Sequence, residues 1–180
     1  MGFGALQNFA PSVLRSLYGL PLTGAASALS IYLLAGAAGI AAGGFLAAKY
    51  EAHERVIAIL LTAAAAQSFL LAMAILPAAG VAALMGSIGF CTGISTPSRD
   101  LLVRKVAIAR FGQGSFGRIY GFVYSGLDAG LSIAPVVFGR LMDRGLFAGV
   151  LFGVAACQLL ATVFALGVGQ KRAAAALSRA

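Results

Sequence analysis

The sequence predicts an all-α, polytopic transmembrane helix bundle with five full spans and a partial helix at its N-terminus. Three observations predict it. Of 180 residues, 61% are hydrophobic and 10% charged, whereas a soluble domain is about 45–50% apolar and about 25% charged. The uncharged runs between the ionic residues have bilayer length or a multiple of it. The basic residues gather in a few short stretches between those runs. A chain of this size does not bury so much apolar surface in one core, so lipid is the solvent its composition requires.

The elements follow in order. Residues 1–14 are uncharged but too short to cross comfortably, and read as the end of a helix whose beginning is absent. Residues 16–48 are uncharged, and Gly19, Pro21 and Gly24 punctuate their start. The first span is therefore expected at 24–48. Residues 56–98 supply 43 uncharged residues. As one helix they would run about 64 Å, twice a hydrocarbon core of about 30 Å. A turn at "LPAAG", residues 76–80, divides them into spans at 56–76 and 81–97. The fourth span, 119–141, is charged only at Asp128 and Arg140, and the fifth is 146–169. Transmembrane structure thus occupies residues 1–170, with a tail at 171–180. Helices suit runs of this length better than barrel strands, which need about ten alternating residues. A helix also pairs its own backbone polar groups, as lipid demands.

The formal net charge is +8. Lys49, Arg55, Arg99, Arg104, Lys105, Arg110, Arg118, Lys171, Arg172 and Arg179 fall on one side of the expected topology, and Arg15, Arg140 and Arg144 on the other. That asymmetry places the first group, and the C-terminus, in the cytoplasm. Bilayer-length apolar runs interrupt the basic residues, so nucleic acid is not an expected partner. Cys91 and Cys157 lie inside apolar runs without disulfide or metal-ligand spacing, and read as small buried hydrophobes. His53, in the loop "KYEAHER", is expected to be solvated and has no second ligand nearby. No metal site is expected. No nucleophile–base constellation occurs, so no catalytic residues and no enzyme are expected. Gly112, Gly114 and Gly117 spell G-x-G-x-x-G, but no strand precedes them and no βαβ unit surrounds them; no P-loop exists either. No cofactor is therefore expected. The stretch 98–118, with Leu102, Val106 and Ala109 on one face, reads either as an interfacial helix or as a solvated connector.

Asp128 is the chemical anomaly. It is the sole charge within "GFVYSGLDAGLSIAPVVFG", residues 121–139. An ionised Asp at the bilayer centre costs about 2.5–3.5 kcal/mol on insertion scales. It should therefore face protein or a watery cavity, or be protonated. Tyr124, Ser125, Ser132 and Pro135 lie at i−4, i−3, i+4 and i+7, on its face of a helix. Pro135 removes the backbone bond to Leu131 and is a candidate kink. Asp128, Tyr124, Ser125 and Ser132 are thus candidates for a substrate or proton pathway, the alternative being a structural, hydrogen-bonded Asp. Gln67, Thr92, Ser95, Thr96 and Gln158 read mostly as interhelical hydrogen-bonding groups. Gly39/Gly43, Gly89/Gly93 and Gly126/Gly130 are i, i+4 pairs that let helix backbones approach closely.

The stretch "TPSRDLLVRK…GRIYGFVYSGLDAGLSIAPVVFGRLMD" resembles the tenth-to-eleventh-helix region of bacterial major facilitator superfamily (MFS) transporters. In kind, the resemblance covers nearly the whole chain, from the end of helix seven to helix twelve. The family's cytoplasmic G-x-L-x-D-R-x-G-R-R-like motif corresponds to "GFLAAKYEAH". Gly44, Leu46 and Lys49 fit it, whereas Ala48 stands in place of the Asp and Glu51 in place of the Gly. The resemblance implies twelve helices in two six-helix halves, with a small solute bound between halves that rock, often under a proton gradient. It implies a multi-pass protein of the inner membrane, lacking here its N-terminal six-helix half, and makes Asp128 a candidate for proton coupling. The competing expectation is a non-transporting membrane protein, an assembly partner or truncated remnant, in which the glycine-rich faces matter and Asp128 is structural.

Overall fold

The structure is a computed structural model that describes residues 1–50, 52–112, 114 and 116–177. Among them it is built from helices alone: α1 (Gly2–Tyr18), α2 (Leu22–Lys49), α3 (His53–Ala72), α4 (Ala78–Phe111), α5 (Phe116–Asp143) and α6 (Phe147–Leu177). Five of the six, α2 to α6, are long and apolar enough to cross a membrane. Their outward faces carry large apolar side chains, including Leu34, Phe45, Ile59, Phe122 and Phe164, all more than 60% exposed. In water such a belt would be a liability; in lipid it is the solvated surface. The apolar helices thus suggest contact with lipid.

The expected spans correspond to α2, α3, α4, α5 and α6, with shifted ends. The N-terminal piece extends to Tyr18. Its 17 residues amount to about 26 Å of helix, and it packs against α2, α5 and α6 through Ala5, Leu6, Ala10, Val13 and Leu14. Gly19 ends it in the left-handed region (φ 63°), its N–H returning to the Arg15 carbonyl, a closure that a side chain would strain. The Tyr18 hydroxyl donates to the Leu71 carbonyl at 2.8 Å, fastening the end of α1 to α3.

The largest departure concerns α4. Expected to stop at residue 97, it runs on through Pro97 to Phe111, 34 residues in all, or about 51 Å. The stretch 98–111 is therefore neither a separate interfacial helix nor a connector. Tertiary contacts explain why a proline and a cluster of charges do not end it. Leu102 and Ala107 are buried. Lys105 Nζ lies 3.0 Å from Nε2 of His53, at the start of α3. A lysine ammonium only donates, so in this pair Nε2 is the acceptor. His53 is 2% exposed, contrary to the expectation of a solvated loop residue, because the extension of α4 covers it. At the other end, α6 continues to Leu177, so most of the expected tail is helical; residues 178–180 lie outside the described residues, as does Glu51.

The core is organised by two close pairs, α2 with α4 and α3 with α6. The first is a seam of backbone on backbone. A Cβ built on Gly39 would sit 2.5 Å from the Phe90 carbonyl oxygen, and one on Gly43 2.5 Å from that of Ile94. Cβ atoms on Gly89 and Gly93 would drive into the carbonyls of Tyr32 and Gly36. In lipid, where apolar burial gives helices little reason to associate, such approach is what van der Waals packing requires. The second pair is pinned by a buried polar contact: Ser68 Oγ donates to Gln158 Oε1 at 3.1 Å. Ser68→Ala should lower stability in detergent by about 1 kcal/mol. Ser125→Ala should leave the melting curve in place, since the Ser125 hydroxyl donates to the Phe122 carbonyl of its own helix.

Candidate functional site

A cleft of about 730 Å³ opens in the bundle and is walled by all six helices. Its lining is largely apolar, with Phe3 and Leu6 of α1, Leu127 and Leu131 of α5, and Leu160 and Phe164 of α6. Set into it are Tyr32, Thr92, Ser95, Thr96, Gln158 and Arg99. An apolar concavity with a few convergent polar groups is the usual form of a small-molecule site.

The polar groups are positioned by local chemistry. Thr92 donates to the carbonyls of Ile88 and Gly89, and Ser95 and Thr96 both donate to the Thr92 carbonyl. Ser95 and Thr96 therefore bond within α4, not across helices as expected for most of these groups, whereas Thr92 also pairs with the Tyr32 hydroxyl of α2, as expected. Each still presents its oxygen lone pairs. Gln158 is the interhelical member, held by Ser68 on α3, while Thr162 donates to the Gln158 carbonyl. Gln67 Oε1 and Ser98 Oγ are buried and make no hydrogen bond among the described residues.

At one end of the cleft α4 and α5 meet in a charged cluster that sequence reasoning missed. Arg99 donates through Nε and an Nη nitrogen to Oδ1 of Asp100, at 3.1 and 3.0 Å. The other carboxylate oxygen, Oδ2, accepts from the Tyr124 hydroxyl at 3.2 Å. Tyr124 in turn accepts from Tyr120 at 2.8 Å, and the Arg99 guanidinium lies 6.0 Å from the Tyr124 ring centroid. Both members of the ion pair are about a third exposed, so the pair itself contributes little stability. Its significance is positional: Asp100 ties α4 to α5, and Arg99 borders the cleft.

The predicted site residues divide. Tyr124 is half-buried and committed to Asp100. Asp128, Ser125 and Ser132 stand exposed on α5, none of them lines the cleft, and Asp128 makes no hydrogen bond or ion pair among the described residues. Leu127 and Leu131, its neighbours one and three positions away, are the α5 residues that do line it. The helix continues unbroken through Pro135. Only 11% of the apolar window of α5 is buried, against 22–39% for the other four spans. Gly126 has no neighbour within 4 Å of a built Cβ, and Gly130 approaches only Met1. Thus α5 leaves Asp128, Ser125 and Ser132 exposed, and Gly126 meets no neighbour. Among the described residues, no group of three His, Cys, Asp or Glu side chains stands close enough to hold a metal.

No family model, curated protein or solved structure matches this chain.

Proposed function

We propose that the chain forms one six-helix half of a secondary transporter of the major facilitator type, moving a small solute across the inner membrane in exchange for, or together with, protons. The cleft carries the reading: five hydrogen-bonding side chains and one guanidinium converge inside a bundle whose exterior is built for lipid. Polar groups at bilayer depth are costly and mark pathways for solutes or ions. The uncovered face of α5 supports it further. An acid there needs protein or water against it, and a complementary six-helix unit closing over α5 would supply both, placing Asp128 between the halves. The Lys/Arg-rich ends of α2, α4 and α6 favour a cytoplasmic C-terminus.

The test is water access. In a Cys-free background expressed in bacterial membranes, Thr96→Cys and Leu131→Cys should react with a membrane-impermeant thiol reagent. Phe45→Cys, on the lipid-facing side of α2, should not. Reaction from both faces of the membrane in separate experiments is the outcome expected of a carrier. A Thr96→Cys protein as inert as Phe45→Cys removes the pathway, and leaves a non-transporting membrane protein as the better reading.

A further inference from the structure

We infer that the cleft takes a small organic anion with an apolar body, its acidic group held at Arg99. The inference deepens the transporter reading and rests on it for the identification of the cleft as a binding site. Arg99 is the only lining side chain that is charged at neutral pH. The carboxylate that would neutralise it is already occupied: Asp100 Oδ1 accepts from Arg99, Oδ2 accepts from Tyr124, and Asp100 does not line the cleft. Guanidinium carries five N–H donors in a fixed planar fork. Two are spent on Asp100, which leaves donors for a second acceptor. That first contact also fixes the orientation of the fork, so an incoming carboxylate or sulfonate meets a preorganised, partly solvated partner at the edge of the cleft. One turn before Arg99, Ser95 and Thr96 add hydroxyls on the same wall. The rest of the lining is largely apolar, with Tyr32, Thr92 and Gln158 as its other polar groups, and suits the apolar body of the ligand. A cation would find no carboxylate among the lining residues, which selects against it, and a neutral solute gains no charge-assisted contact at Arg99.

The experiment compares three probes of one shape: naphthoate, naphthamide and naphthylmethylammonium. Binding is measured by equilibrium dialysis against the full chain in nanodiscs of zwitterionic lipid, with empty nanodiscs subtracted. Naphthoate should bind at least about tenfold more tightly than the amide, the difference expected of one charge-assisted contact. The ammonium should bind weakest. Arg99→Gln should erase the preference for naphthoate while leaving naphthamide binding unchanged. Arg99→Lys should restore preference for the anion at reduced affinity, which guards against a variant that does not fold. Arg104→Gln, farther along α4 and outside the cleft, should change nothing. Equal binding of the three probes, tighter binding of the ammonium, or the same loss in Arg99→Gln and Arg104→Gln overturns the inference. Thiol access to the cleft without anion preference would sink this inference alone. Absence of access at Thr96 would sink the transporter reading instead.

Discussion

Asp128→Asn should reduce solute-dependent proton movement to the level of protein-free liposomes. On the proposed reading the measurement is made with the complementary half present, in proteoliposomes that trap a pH-sensitive dye. Asparagine keeps the shape and polarity of the side chain but cannot take up a proton. Exchange of solute down its own gradient should persist, because the lining of the cleft is untouched: Leu127 and Leu131, not Asp128, form its α5 wall. The two readouts therefore separate coupling from binding. Unchanged coupling in the variant would remove Asp128 from the mechanism and leave it a structural acid.

The second large effect is expected in the α2–α4 seam. Gly93→Leu should abolish the folded state, or lower its melting temperature so far that little monodisperse protein survives extraction. The reason is geometric. A Cβ at residue 93 meets the Gly36 carbonyl, a backbone atom of the neighbouring helix, which cannot rotate away as a side chain would. Relief requires the helices to separate along a seam that also includes Gly39, Gly43 and Gly89. Overpacking a rigid site costs about 1–3 kcal/mol or more, a large share of a marginal stability. Gly126→Ala is the control. Nothing lies within 4 Å of its built Cβ, and alanine is about 1 kcal/mol better than glycine within a helix, so the isolated chain should be no less stable. Equal melting of the Gly93→Leu protein and the wild type would refute the packing argument.

The number of spans and most of their positions were legible in the sequence, because lipid imposes one simple rule: a run of uncharged residues about as long as the bilayer is thick. The rule failed at α4. Arg99, Asp100, Arg104 and Lys105 ended the uncharged run, yet the helix persists because His53, Tyr124 and the buried Leu102 hold the extension from two sides. Those contacts are long-range and leave no local trace. The same failure hid the Arg99–Asp100–Tyr124 cluster, since charges assigned to a loop are not examined as part of a cleft. A signal was present: Leu102, Val106 and Ala109 continue a helical spacing beyond Pro97. Asp128 was conspicuous for the opposite reason, as a lone charge in an apolar run. That isolation says nothing about which neighbour it faces, and its helix in fact turns it away from the cleft formed by this chain. His53 was misplaced because burial beneath a neighbouring helix depends on where that helix ends.

The thin packing of α5 also bears on how the polypeptide is made and kept. A segment that carries an exposed acid and finds little purchase on its siblings is costlier to leave in open lipid than its apolar length suggests. In a transporter of the proposed two-half kind, synthesis of the second half together with this one would then protect α5.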